Sequence, residues 1–274
     1  ALPIYQVIAT AFHRNTMTNT EGGTDDEEFR FAAVVDRTNT TGTVWLAMTV
    51  GCAQCHTHKF DPISHEEYYR LFAIFNQTSD NDQPDNSPLF ESWAPGQLGK
   101  KAELERRLSE LEARAAERKL AERIAAREAA NKPEQPLVAA ELSELTEWKK
   151  ELEEEQQGLA RVRGELGAIR PVTTPVMKEL PREAQRKTRI AIRGSFLTPG
   201  AEVTSGVPAV LAQDWEVENR LELAKWLVDR RNPLTARGAV NRLWAQLLGN
   251  GLVESLDDFG TQGALPSHPE LLDR

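Results

Sequence analysis

Apolar residues recur at helical spacing through most of the chain, so the pattern of hydrophobic and polar positions predicts a mainly α protein. Residues 25–35 and 38–49 are predicted to form two helices. A third helix is predicted over residues 65–75, because Ser64 can cap its start and Glu67 stands at the reciprocal position of a capping box.

The middle of the chain, residues 98–169, is rich in Glu, Arg, Ala and Leu and poor in aromatic residues. One leucine stripe recurs every seventh residue, which is typical of a coiled coil; it consists of Leu145, Leu152, Leu159 and Leu166. Pro133 and Pro136 interrupt the pattern and should turn the chain. We therefore predict an antiparallel helical hairpin that projects from the globular body, either as a solvated structural arm or as an arm that docks a partner protein.

Short strands and further helices are predicted on either side of this arm. Residues 3–10 and 188–196 have the composition of strands, and Pro199-Gly200 indicates a turn. Residues 219–228 and 235–248 have the spacing of amphipathic helices.

These changes of character predict four segments. Residues 1–96 form a first region, and residues 97–170 form the helical arm. Residues 171–212 form a β-rich junction that completes the first region, and residues 213–274 begin a companion domain. The chain opens abruptly and stops just after a predicted first helical turn, so we expect a piece of a longer protein with any secretion signal upstream.

Charge and hydropathy narrow the classes of partner. The formal net charge is -9, and no clustered basic face of the kind that binds phosphate is evident, so we expect no nucleic-acid partner. No apolar run approaches the roughly 20 residues of a spanning helix, so we predict no membrane span in this chain.

The two cysteines of the chain, Cys52 and Cys55, stand directly before His56 in a C-x-x-C-H pattern. This pattern is a signature of covalent haem c attachment, in which two thiols bond the haem vinyl groups and the adjacent imidazole ligates the iron. The residues alone leave three alternatives open: a zinc site, a redox-active dithiol and a structural disulfide. The zinc alternative needs two further ligands, which only the other histidines could supply: His13, His58, His65 and His268.

A sixth iron ligand decides between electron transfer and ligand-binding chemistry. Met48 and His58 lie too close to the motif in sequence to reach the opposite side of the ring, so each is expected to have another role. Met177 lies far downstream, in the order typical of small cytochromes, although an ordinary core methionine is an equal alternative. Polar residues near the motif are candidates to orient the ligand or to pair with haem propionates; they are Arg14, His58, Lys59 and Asp61.

Residues 40–63 (TTGTVWLAMTVGCAQCHTHKFDPI), followed by Glu67-Tyr68-Tyr69, resemble the planctomycete-specific cytochrome domain. Downstream motifs resemble the junction into, and the start of, the companion planctomycete domain of unknown function; they are IRG at 192–194, PG at 199–200, GVPAVL at 206–211, NPLTAR at 232–237, NRLW at 241–244, DFG at 258–260 and PSHPELL at 266–272. The resemblance covers nearly the whole chain except the arm.

The resemblance implies an exported multidomain protein with one covalent haem c. It also makes Met177, in a Val-Met-x-Glu segment, the first choice for the sixth ligand. The expected fold is mainly α: a cytochrome c-like helical haem domain, formed by the haem-binding region 1–96 and completed by residues 171–212, with the arm, short β-strands and the start of a second helical domain. The expected function is electron transfer in the periplasm or at the cell surface with a redox partner protein. The alternatives are a haem enzyme of peroxidase or oxidase type with an open sixth site, and a partner-binding scaffold with a structural haem.

Overall fold

The computed structural model describes residues 3–17, 19, 21–80, 86–132, 136–212 and 214–273. The chain is mainly helical with a few short strands, which confirms the predicted fold class. It divides into two compact units. The first combines Ala1–Phe90 with Pro175–Arg274, and the second is Glu91–Thr174.

The α-helices of the described residues are α1 (Ile4–Ala9), α2 (Asp26–Thr41), α3 (His65–Asn76), α4 (Gln97–Arg118), α5 (Leu120–Ala130), α6 (Ala139–Ala168), α7 (Ala209–Ala212), α8 (Arg220–Leu227), α9 (Pro233–Leu248) and α10 (Pro269–Leu272). The strands are β1 (Leu89–Ser92), β2 (Val172–Pro175), β3 (Thr188–Ala191) and β4 (Pro199–Val203). They pair as two two-stranded sheets, β1 with β2 and β3 with β4.

Helix α3 lies at the centre of the first unit. Its predicted capping box is confirmed: the Ser64 hydroxyl accepts a hydrogen bond from the Glu67 amide, and the Glu67 carboxylate accepts one from the Ser64 amide at 2.7 Å. The residues from Leu71 to Asn76 are all buried, because α2, α8 and the β3–β4 sheet all contact this helix. The core of the unit is therefore built around α3.

Helix α2 corrects the prediction of two helices over 25–35 and 38–49. It runs without a break to Thr41 and is followed by a single wide turn at Gly42–Leu46. Its polar stretch is helical because Arg37 is buried and pairs with buried Asp80 at 2.5 Å. The chain leaves this helical run at Ala47, whose backbone is left-handed with a φ of 48°.

One strand prediction was wrong and another was wrong in part. The predicted first strand is helix α1, followed by a short helix of the 3-10 type from Thr10; Ile4, Tyr5 and Ile8 are exposed, so these apolar residues do not form a buried strand face. The predicted strand 188–196 ends at Ala191, because Arg193 and Gly194 take left-handed φ values of 55° and 75°. The predicted turn at Pro199-Gly200 instead begins β4, which pairs antiparallel with β3.

The second unit is the predicted antiparallel hairpin. Ion pairs join the outgoing and returning helices in opposite order along the chain; they are Glu112–Arg163, Arg118–Glu151 and Arg127–Glu141. The outgoing helix breaks at Lys119 into α4 and α5. Pro136 lies in the connection before α6, whereas Pro133 lies outside the described residues.

The C-terminal helices agree with the pattern of the sequence. The Asn219 side chain caps α8, and the Asn232 side chain caps α9. Gly249 closes α9 with a φ of 91°. These helices belong to the same compact unit as α2 and α3. That residues 213–274 begin a companion domain stays a prediction. Among the described helices, none is both long enough and apolar enough to cross a lipid bilayer.

Candidate functional site

The first three residues of the C-x-x-C-H segment lie in a turn of 3-10 helix, Val50–Gln54. Cys55 and His56 follow this turn directly. Val50 and Ala53 are buried in the core and anchor the turn. Cys52 and Cys55 are exposed free thiols. The alternation of anchor and thiol therefore presents both sulfurs to solvent from a fixed backbone.

His56 is also exposed, and its orientation favours metal ligation through one ring nitrogen. Its Nδ1 lies 2.7 Å from the Thr57 carbonyl oxygen, which can only accept, so Nδ1 carries the proton and donates. In the neutral tautomer that makes this bond, Nε2 is the nitrogen with a free lone pair. An imidazole whose Nδ1–H donates to a carbonyl is the usual form of a metal-ligating histidine.

Two side chains of α3 hold the turn through hydrogen bonds to its Gln54 carbonyl oxygen. The Tyr69 hydroxyl donates to the Gln54 carbonyl oxygen at 3.0 Å, and His65 Nε2 lies 2.9 Å from the same oxygen. Burial, followed by the proximity of Cys55, raises the pKa of Tyr69 well above its usual range, so this hydroxyl stays protonated and can donate. The sequence offered His65 only as a possible zinc ligand and Tyr69 only as part of the Glu67-Tyr68-Tyr69 segment, and it predicted for neither a role in holding the turn.

The turn Ile192–Gly194 also lies beside the site, next to Cys55. A Cβ added at Gly194 would lie 2.8 Å from the Cys55 sulfur, so no side chain fits there without a shift. Gly194 also has a φ of 75°, which favours glycine. The Arg-Gly motif was noted in the sequence, but only the structure places it against the cysteine.

His58 is buried and has hydrogen-bond contacts at both ring nitrogens. Nδ1 accepts from the Asp61 amide at 2.8 Å and from the Phe60 amide at 3.3 Å, and Nε2 lies 3.4 Å from the Thr49 hydroxyl. His58 therefore organises its own loop through these hydrogen bonds.

The other predicted polar partners are distributed around the molecule. Asp61 is buried beside His58 and accepts hydrogen bonds from Thr261. The Lys59 ammonium lies over the Phe60 ring, 5.0 Å from its centroid. Arg14 instead donates to carbonyl oxygens of Asn86, Ser87 and Val176. The hydrogen bonds of Arg14 thus join it to other loops, not to the motif.

The structure does not bring Met177 to the cysteines. Met177 is buried, and the next residue, Lys178, accepts a hydrogen bond from the Ser79 amide just beyond the C-terminal end of α3. Gln54 contacts the first two turns of the same helix. His65 and Tyr69 precede the last residue of α3, Asn76, by 11 and 7 positions, so the two sites are separated along the helix by roughly 10–17 Å. The role of Met177 as sixth ligand stays a prediction.

The donor set fits haem c better than zinc. Covalent haem attachment needs two accessible thiols and an adjacent imidazole with a free nitrogen, and Cys52, Cys55 and His56 offer these. Tetrahedral zinc needs four ligands. Within the described ranges, no three His, Cys, Asp or Glu side chains form a group that could hold a metal ion.

Two family models match separate parts of the chain. Residues 3–80 are similar to PSCyt2, described as "Protein of unknown function (DUF1549)", and residues 219–274 to PSD1, described as "Protein of unknown function (DUF1553)". No curated protein and no solved structure matches the chain. The two matches, in this order, fit the predicted pairing of two planctomycete domains, the first of which has a cytochrome-related name.

Proposed function

We propose that this chain binds one haem c covalently through Cys52 and Cys55, with His56 as the proximal iron ligand, and that it acts in electron transfer. The observation that carries the proposal is the arrangement of this segment. Two exposed thiols and an exposed imidazole stand on, or directly after, a turn that buried Val50 and Ala53 anchor in the core. The cytochrome-related name of the matching family model supports the same assignment.

Each residue of the segment has a defined task in this proposal. The thiols anchor the group without a fully enclosing pocket, and Thr57 holds the His56 ring through its carbonyl oxygen. Tyr69 and His65 keep the turn in place through the Gln54 carbonyl. When bound, the haem supplies one-electron chemistry at its iron.

The proposed cofactor also implies a compartment. Thioether bonds to haem are normally formed outside the cytoplasm, so we propose that the protein is exported to the periplasm or the cell surface. Its redox partner would be another protein of that compartment.

A second candidate function rests on the position of Met177. In the arrangement described above, Met177 is packed near Ser79 and not near His56. A haem without a protein ligand at the sixth position can bind peroxide or another small ligand. The alternative is therefore a haem enzyme of the peroxidase or oxidase type.

Absorption spectra of the protein, exported with a cytochrome c maturation system, test the function. A haem c spectrum in alkaline pyridine, lost in Cys52→Ser/Cys55→Ser, is expected. A low-spin oxidised protein whose weak band at the red end disappears in Met177→Ala would support His/Met ligation and electron transfer. A high-spin wild-type protein would favour the enzyme alternative, and a wild-type protein without haem c would refute the proposal itself.

A further inference from the structure

The C-terminal segment contacts the chain immediately before the cysteines. Arg242, on α9, donates from Nη1 to the Val44 carbonyl and from Nη2 to the Thr43 carbonyl, both at 2.6 Å. The Phe259 amide donates to the Ala47 carbonyl at 2.7 Å. These bonds hold the turn that ends at left-handed Ala47, five residues before Cys52.

The same segment also contacts the chain just after His56. The buried Asp61 carboxylate accepts from the Thr261 amide at 2.7 Å and from the Thr261 hydroxyl at 3.1 Å. Hydrogen bonds to an ionised, buried acceptor are among the strongest in proteins. Asp61 in turn donates its amide to His58, so Thr261 is linked through Asp61 to the loop that follows the ligand.

Gly260 makes this approach possible. A Cβ added there would lie 2.4 Å from Asp61 Oδ2 and 2.6 Å from Oδ1, distances that side chains do not adopt. The approach is close because the neighbouring Thr261 amide is bonded to the same carboxylate. Gly260 is therefore a position where any side chain would push the C-terminal segment away from Asp61.

We propose that residues 242–261 form a clamp that holds the chain on both sides of the C-x-x-C-H segment, with Asp61 and Arg242 as positioning residues for His56 and the two cysteines. The matched PSD1 segment would then be part of the haem site rather than an independent neighbour. The effect on the haem rests on the proposed function, whereas the effect on the loop rests on the contacts alone.

The loop itself gives a readout that needs no haem. The His58 amide donates to the Ile63 carbonyl, and the Ile63 amide donates to the Asp61 carbonyl, so hydrogen exchange over residues 57–63 reports whether the loop opens. Exchange of the full-length chain without haem would be compared for wild type, Gly260→Ala and Thr261→Val. The expected increase is about tenfold for Gly260→Ala and smaller for Thr261→Val, which keeps the backbone bond to Asp61.

Two substitutions in the same compact unit serve as controls. Thr235→Val removes a buried hydroxyl for which the described residues supply no hydrogen-bond partner, and Gly22→Ala adds a methyl group with nothing within 4 Å. Both are expected to exchange like wild type over residues 57–63. If Gly260→Ala does not fold, as judged by circular dichroism, Thr261→Val decides. Wild-type exchange in Thr261→Val and in every folded Gly260→Ala sample would overturn the clamp.

The haem-loaded protein then tests the second half of the proposal. We expect the reduction potential or the haem spectrum to change in Gly260→Ala and to stay at the wild-type value in Gly22→Ala. Faster loop exchange with an unchanged potential and spectrum would overturn the positioning role. A wild-type chain that binds no haem would refute the proposed function, and loop exchange would still decide on the clamp.

Discussion

At the scale of the residue, His13 is a half-buried histidine whose ring the structure keeps neutral near pH 7. Burial, followed by the charges of Arg37 and Arg220, lowers the pKa of His13 to about 4. Arg37 also donates to the His13 carbonyl and pairs with buried Asp80. A protonated His13 ring would therefore be repelled by the guanidinium groups of Arg37 and Arg220. The Asp80 carboxylate is already paired with Arg37.

The pH dependence of stability follows from this shift. The unfolded chain protonates His13 near pH 6.5 and the folded chain only near pH 4, so folding stability falls as the pH decreases between these values. The full effect of a shift of this size is about 3 kcal/mol. His13→Phe keeps an aromatic ring beside Phe75 and should lose less stability over this range than wild type.

Thermal unfolding between pH 7 and pH 4 measures this difference. His268→Asn, at an exposed histidine of the same compact unit, is the matched control and should follow the wild-type curve. Equal slopes for wild type and His13→Phe would show that His13 does not contribute to the pH dependence.

Only part of the site could be predicted residue by residue. Cys52, Cys55 and His56 could be predicted as site residues because they form a contiguous pattern in the sequence. Gly194 and Thr261 could not be predicted in this way. Gly194 lies beside Cys55 and Thr261 beside Asp61 in the folded chain, but more than 130 residues separate the members of each pair in sequence.

At the scale of the element, the arm has one irregular position. Lys119 separates α4 from α5 with a φ of 47° and a ψ of 38°. A non-glycine residue in this left-handed region destabilises the folded backbone by roughly 1–2 kcal/mol. Glycine avoids this strain, but it loses more backbone entropy on folding, which offsets part of the stabilisation. Lys119→Gly should therefore stabilise the arm by about 0.5–1 kcal/mol.

Lys150→Gly is a matched control for this substitution. Both lysines form long, exposed ion pairs with a glutamate three or four residues later, at 3.9 Å for Lys119 and 4.0 Å for Lys150, so each substitution loses a similar, weak pair. Lys150 lies inside α6, where glycine should destabilise by about 1 kcal/mol. Hydrogen exchange of the arm amides measures both changes, and destabilisation by Lys119→Gly would contradict the left-handed break.

Elements with local signals were predicted well, and those that depend on distant partners were not. Helix α3 was predicted because its capping box lies within four residues. The continuity of α2 depends on burial of Arg37 against Asp80, 43 residues away, so its polar stretch looked like a break in the sequence. The left-handed backbone at Arg193 likewise ended β3 earlier than the residue types indicated.

At the scale of the whole molecule, the arm divides a single compact unit in sequence. Residues on both sides of it meet beyond α3, where Thr78 forms a bridge with Glu179 and the Gln77 carbonyl accepts from the Leu180 amide. The change of composition at residues 98–169 predicted that the arm is a separate segment. It did not predict that residues after position 213 pack in the same unit as the motif, because tertiary contacts such as that of Thr261 with Asp61 leave no periodic signal.

The central claim is that one haem is bonded to Cys52 and Cys55. Intact-protein mass spectrometry under denaturing conditions tests it most directly, because only a covalently attached group remains on the unfolded chain. For protein exported with a haem maturation system, the account predicts a mass increase of one haem per chain, absent from Cys52→Ser/Cys55→Ser. An unmodified mass for the wild-type chain, under conditions in which a known c-type cytochrome is fully loaded, would contradict it.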